Sequence, residues 1–483
     1  MPLSWRASNM KRRDFLKNSM YASMAVGAGL ALPLNASAVC NAVDMPRTLV
    51  NLMLYGGMDS KFIFMPAPSH LSSNYLDKIW EARSSLYGGL YPSYTDMFNN
   101  EYLLTTDKNG FEFGIFKRCG WLKSEFEAGR VAVIANAFCS TNRRHDQSQL
   151  NANAGDPIYD ALHYDRDGWG GRLIEQLPGF VNTVELAHEI SVFGNGTTAG
   201  ERLRQVVHAQ DTRSIALPNY DGGNPASRRN ILSRALKSYY QARGAEVAGQ
   251  TNSPYSVFFQ HDAALREFGG AIESRLNNCG ALPASLANLN LNSKHFAQQC
   301  RNLYDVCLTP DILDVRTLSM RYDGWDTHNN EITRIGKNLE DLFGTSGGLA
   351  TTMAEISTLP NLSGQAAKDN LVLYFSSDFG RQLRANGDAG TDHGRGLYSI
   401  VWGNDVSGGL YGEMFPEREA NPDANGKVPL ETSGADVLGQ TSTEKILAEV
   451  CEWMQPGSSS IVFPGASSAK IEVPGMLNDL LAV

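Results

Sequence analysis

Short apolar runs that stop abruptly at loops rich in glycine, aspartate and histidine constrain this chain more than any other feature. The sharpest is Leu371-Val372-Leu373-Tyr374-Phe375, followed by Asp378, Arg381 and a glycine-rich loop leading to Thr391-Asp392-His393-Gly394. A continuous apolar run bounded by polar residues and glycine reads as a strand buried on both faces, the signature of a parallel sheet. Thr48 to Tyr55 and Val131 to Ala135 read the same way, as do Val315 to Tyr322 and Leu397 to Gly403. A weaker strand is expected near Glu189 to Gly194. The implied class is α/β with a mainly parallel central sheet.

The segments between these strands fill in the helices. Ser72 to Leu122 is aromatic and polar without strong periodicity, and reads as helices and loops over the sheet. Gly168 to Leu173 opens a helix, and further helices are expected over Asn330 to Phe343 and Glu444 to Met454. From Ser227 to Ile312 the pattern turns helical: Ile231, Leu232, Ala235, Leu236, Tyr239 and Tyr240 share one helix face, and Tyr255 to Leu276 and Lys294 to Leu308 look similar. This places a helical insertion at 227–312 inside a single domain of 39–483, with no internal repeat.

Charge and cysteine usage narrow the partners. The chain has 42 basic and 51 acidic residues among 483, a formal charge of -9, which argues against nucleic acid as a partner. The N-terminus carries a targeting signal. Lys11-Arg12-Arg13-Asp14-Phe15-Leu16-Lys17 resembles the bacterial twin-arginine export signal, an apolar stretch runs from Met20 to Leu34, and Ala36-Ser37-Ala38 offers a cleavage site. The alternative, a membrane anchor, is disfavoured because the stretch is short and holds Gly27, Gly29 and Pro33. Residues 1–38 are therefore expected to be removed by export through the twin-arginine translocase, leaving a periplasmic or exported chain that is not an integral membrane protein. Of the seven cysteines, none has CxxC spacing, so a zinc ribbon is not expected. If a disulfide forms, Cys279 with Cys300 or Cys307 is the expected pair.

The loops after the strands hold the candidate chemistry. Asp59 follows the first run, Asp326 and His328 follow the fourth, and Asp378 and His393 follow Leu371–Phe375. An Asp or His in a loop is ordinarily structural. Yet parallel strands present their carboxyl ends on one edge, where ligands bind in such sheets. Clustered carboxylates and imidazoles there point to a cation, and carboxylate with imidazole suits zinc or manganese better than calcium. Cys139-Ser140-Thr141-Asn142 precedes a polar stretch and reads as a helix N-cap. Ser140 or Thr141 is a candidate nucleophile there, with capping the simpler role.

The motifs GGMDS, GWDTH, SDFGR and GTDHG, in that order, resemble a large family of exported bacterial proteins sharing the domain of unknown function 1501, itself similar to the alkaline phosphatase and sulfatase superfamily. The resemblance covers most of the chain from about Leu49. It implies an alkaline-phosphatase-like three-layer sandwich and a one- or two-metal site. Asp59 corresponds to a first-strand ligand, Asp326 and His328 to one metal set, and Asp378 and His393 with Asp392 to the other. The family's usual SEFGR has Glu where this chain has Asp378, a shorter carboxylate that implies a water-bridged ligand. Its RSHF segment corresponds to Arg143-Arg144-His145-Asp146, with Arg144 at the usual serine and His145 among the metal candidates. The resemblance implies a metal-dependent hydrolase of small phosphate or sulfate esters, with Arg143, Arg144 or Arg381 holding the anion. The alternative is a non-catalytic exported protein that binds an envelope component.

Overall fold

The computed structural model describes residues 45–159, 161–162, 166–177, 182–186, 192–193, 206–208, 211–214, 226–247, 275–276, 278, 281–310, 315–359, 367–466, 477 and 480–481. The export signal and most of the expected helix at Tyr255 to Leu276 lie outside them. The chain divides into two compact units, one of 1–40, 196–205 and 211–281, the other of the remaining residues. In the first, the helix Arg228–Val247 is described. The helix Lys294–Leu308, expected within the same insertion, belongs instead to the second unit.

The second unit is built on a nine-stranded sheet. Its strands in chain order are β1 (Thr48–Tyr55), β2 (Val131–Phe138), β3 (Asn182–Glu185), β4 (Val206–His208), β5 (Val315–Asp323), β6 (Leu371–Ser377), β7 (Leu397–Gly403), β8 (Gly409–Tyr411) and β9 (Thr441–Ser442). Their spatial order is β8-β2-β7-β6-β1-β5-β3-β4, with β9 also on β2. Pairings along β6-β1-β5-β3-β4 are parallel, and β7 runs antiparallel to both β6 and β2. With β8 and β9 parallel to β2, β7 is the one reversed strand among those described. β2, β6 and β7 are buried along their whole length, which is why they read as unbroken apolar runs.

Helices cover both faces. Val372 and Tyr374 of β6 join a core with Trp169, Ile446 and Trp453. Phe375, pointing the other way, meets Phe343 of the helix Glu331–Phe343 at 5.4 Å between ring centroids. A three-stranded antiparallel sheet is formed by Phe64–Pro66, Tyr102–Thr106 and Glu112–Phe116, the last two within the Ser72 to Leu122 stretch expected to hold helices and loops. The strand expected near Glu189 to Gly194 is not formed where it is described, since Val192 and Phe193 lie in a turn and the strand is Asn182–Glu185. Cys300 and Cys307 are free, buried thiols, so the expected bond of either to Cys279 is not formed; Cys279 itself lies outside the described residues. The reason is packing: Cys300 sits where a Cβ on Gly348 would lie 2.8 Å from its sulfur, under the helix Gly348–Ile356. No helix among the described residues is long and apolar enough to cross a membrane.

Candidate metal centre

Topology brings distant residues to one edge. β1, β2, β5 and β6 point the same way, so the loops after them open together, and reversed β7 begins at that edge, with Leu397 opposite Ala137 of β2. Asp326 and His328 follow β5, and His145 opens the helix His145–Ala154 after β2. His393 ends a hairpin of Arg381–Ala385 and Thr391–His393 that lies between β6 and β7. The hairpin packs closely on the β5 loop: a Cβ on Gly390 would lie 2.1 Å from the His328 carbonyl carbon.

Four side chains meet there. Ligand atoms of His145, Asp326 and His393 all lie within 4.8 Å of one another. Asp326 Oδ1 is 3.1 Å from His328 Nε2, 3.1 Å from His393 Nε2 and 3.7 Å from His145 Nε2. His328 Nε2 is 3.0 Å from His393 Nε2. A tetrahedral shell with ligand bonds of about 2.0–2.1 Å has edges of about 3.3–3.4 Å, which the spacings from Asp326 to the three imidazoles approach. His145 Nε2 is buried with no hydrogen-bond partner, an orphan atom aimed at the same point. Phe379, itself buried, stacks on His145 at 4.7 Å and His393 at 4.5 Å, forming an apolar floor.

Each imidazole is held from behind through Nδ1. His145 Nδ1 meets Asp378 Oδ2 at 2.5 Å, His328 Nδ1 meets Asp392 Oδ1 at 3.0 Å, and His393 Nδ1 meets the Arg143 carbonyl at 2.9 Å. Engaging every Nδ1 turns every Nε2 inward, the arrangement that metal-binding histidines ordinarily adopt. Burial opposes protonation of His145, but the facing carboxylates of Asp326 and Asp378 outweigh it and push the imidazole up to about 9. Burial would likewise raise Asp326, yet the facing His145 imidazole and hydrogen bonds from His393 and Arg381 hold its carboxyl far below the usual range.

Several expected ligands lie elsewhere. Asp378 is fully buried and stands behind His145 rather than at the centre, with its other oxygen accepting from the Gly56 and Gly57 amides at 3.0 and 2.5 Å. Asp392 stands behind His328 in the same way. Asp59 is directed into the core, where Arg83 pairs with it at 2.6 Å. Arg381, expected to hold an anion, is fully buried: it donates to the carbonyls of Gly56, Gly57, Trp325 and Thr391 and pairs with Asp326. It rivets the β1 and β5 loops to the hairpin. Ser140 is buried and accepts from the Asn142 amide and the Asn151 side chain, both at 3.3 Å. The N-cap position is Arg144, so neither Ser140 nor Thr141 caps the helix. Thr141 is exposed, its amide donating to the Pro157 carbonyl at 3.0 Å. Arg143 and Arg144 are exposed at the rim, Arg143 donating to the His393 carbonyl at 3.2 Å and Arg144 pairing with Asp146 at 2.7 Å. The roles of Phe379, the Arg143 carbonyl and the glycine amides were not anticipated; of these only the glycine pair leaves a trace in the sequence.

Residues 284–427 match the model of a family described as a protein of unknown function (DUF1501). The match spans Asp326, His328, Asp378, Arg381, Asp392 and His393, and leaves out His145. No curated protein matches the chain.

Proposed function

We propose that this chain is an exported divalent-metal protein whose centre is the Nε2 atoms of His145, His328 and His393 with the Asp326 carboxylate. Zinc is the cation this donor set fits best, since three imidazoles and a carboxylate suit a borderline ion with tetrahedral preference. The observation that carries the reading is the convergence of three Nε2 atoms on one carboxylate while every Nδ1 is engaged from outside. Among the described residues the donors suffice for one cation, so a two-metal clamp is not part of the reading. Export rests on the paired arginines and the Ala36-Ser37-Ala38 site. An alkaline-phosphatase-like fold is consistent with the mainly parallel sheet and with a site at its carboxyl edge.

Hydrolysis of a small phosphate or sulfate ester is the activity to test first. A bound cation would polarise the ester oxygen and acidify an attacking water. The chain's own part is to fix Asp326 through Arg381, to exclude water below through Phe379, and to present Arg143 and Arg144 at the exposed rim toward an anion. A binding role without turnover is favoured by two observations: Arg381 has its donors engaged within the protein, and Ser140 faces Asn151. Elemental analysis of protein purified from its export compartment, with a screen of phosphate and sulfate esters, separates these. One cation per chain with turnover supports the hydrolase, one cation without turnover the binding role, and neither refutes the metal reading.

A further inference from the structure

We infer that Asp378 is a positioning residue that sets the tautomer of His145, and that the Gly56-Gly57 pair fixes how Asp378 does so. The inference rests on the metal reading above. Asp378 has no solvent exposure, and its two oxygens face different partners. Oδ1 accepts from the Gly56 and Gly57 amides at 3.0 and 2.5 Å and from the Ser377 hydroxyl at 3.1 Å; Oδ2 faces His145 Nδ1 at 2.5 Å, with the Gln149 side-chain amide a longer donor at 3.4 Å. A carboxylate only accepts, so His145 carries hydrogen on Nδ1, and its neutral form, the form a metal takes, offers the Nε2 lone pair to the centre.

The glycines are required here. Gly56 has φ +121 and Gly57 φ +76, and a Cβ at Gly56 would lie 2.4 Å from the Asp326 amide nitrogen, one at Gly57 2.4 Å from the Phe379 ring. Their amides therefore approach one oxygen of residue 378 side by side. This makes the outcome of Asp378→Asn definite. The amide oxygen must face the two glycine N–H groups, because the NH2 would meet donors there. The NH2 then faces His145 Nδ1, donates to it, and forces hydrogen onto Nε2, where it blocks the ligand atom. The substitution is isosteric, yet it reverses the imidazole. Asp392 is a control of the same chemistry in a looser setting: its side chain is 55% exposed, so an Asn there can turn to present its oxygen to His328.

The test is a zinc titration of the full chain against a chromophoric chelator, for wild type, Asp378→Asn and Asp392→Asn. It is paired with 1H–15N NMR of the His145 ring in the zinc-loaded wild type. Asp378→Asn is expected to weaken zinc binding by about 10–100-fold, the range for outer partners of metal-bound histidines, and Asp392→Asn by less. The His145 spectrum is expected to show hydrogen on Nδ1 and zinc on Nε2. Zinc affinity of Asp378→Asn equal to wild type, or zinc on Nδ1 of His145, overturns the inference while leaving the metal reading standing. The NMR arm needs no variant, so misfolding of Asp378→Asn does not rescue the inference. A wild type that takes up no zinc overturns the metal reading and this inference with it.

Discussion

Two groups of ionisable side chains grow from the same sheet edge, and the protein balances their charge in opposite ways. In one, Asp326 meets three imidazoles and remains 47% exposed. In the other, Asp59, Lys61, Arg83 and Glu331 are all fully buried. There the protein supplies its own permanent cation: Arg83 pairs with Asp59, while Lys61, whose ammonium burial pushes down, donates to the Gly396 carbonyl. Burial would raise Asp59, but the charge of Arg83 and a hydrogen bond from Glu331 hold it down. Burial and the negative charge of Asp59 push Glu331 well up. The Thr391 hydroxyl donates to Glu331 at 2.6 Å, tying this buried group to the hairpin that carries His393. Both strand-end aspartates are answered by a buried arginine, and Asp326 alone of the two keeps solvent exposure and imidazoles beside it, which makes it the ligand candidate.

The comparison breaks most visibly if the buried group is disturbed. Arg83→Met leaves buried carboxylates without their main counter-charge and is expected to cost about 3–5 kcal/mol, read by denaturant unfolding. A loss below about 1 kcal/mol would mean that Asp59 is not held as an ion pair. At the exposed group the effect should move from stability to metal. His393→Ala is expected to weaken zinc binding by more than about 100-fold, beyond the range for an outer partner, while unfolding free energy changes by only about 1 kcal/mol. Unchanged affinity would remove His393 from the centre.

Glu331 sharpens the contrast through pH. Its carboxyl is raised in the fold, so the stability it contributes is full below its unfolded value of about 4.3 and is lost as pH rises toward the raised folded value. Glu331→Gln keeps a donor toward Asp59 and cannot ionise. Unfolding curves from pH 4 to 8 should therefore show the variant gaining on wild type as pH rises; parallel curves would mean that Glu331 is ionised in the fold. The smallest effect is expected at Arg144, whose side chain is 67% exposed on a surface pair with Asp146. Arg144→Ala should change stability by less than about 0.5 kcal/mol. If it also lowers turnover of an anionic ester, the rim arginine holds substrate.

Much of the fold was legible, for a physical reason. Strands buried on both faces must be apolar throughout, so β1, β2, β5, β6 and β7 stand out. Tyr102–Thr106 does not, because its alternation is broken and Leu103 and Leu104 face solvent. Asn182–Glu185 is only four residues long, too short for a pattern to show. The loops that meet were legible too, since direction alone sends the ends of parallel strands to one edge. What could not be read is depth within the site. Asp326 and Asp378 both follow parallel strands that end at the same edge, yet one faces the histidines and the other stands behind one of them. That difference is made by the Gly56 and Gly57 amides, which belong to β1's loop some 320 residues away along the chain. Arg381 was equally opaque, because nothing local to it announces four carbonyl partners drawn from three separate loops.

The most direct test is X-ray absorption at the zinc edge of the full chain loaded with one equivalent of zinc. One tightly held zinc per chain is expected, with three imidazole nitrogens and one carboxylate oxygen at about 2.0–2.1 Å. A shell of oxygens alone, a sulfur ligand, or zinc that washes out without resistance would contradict it.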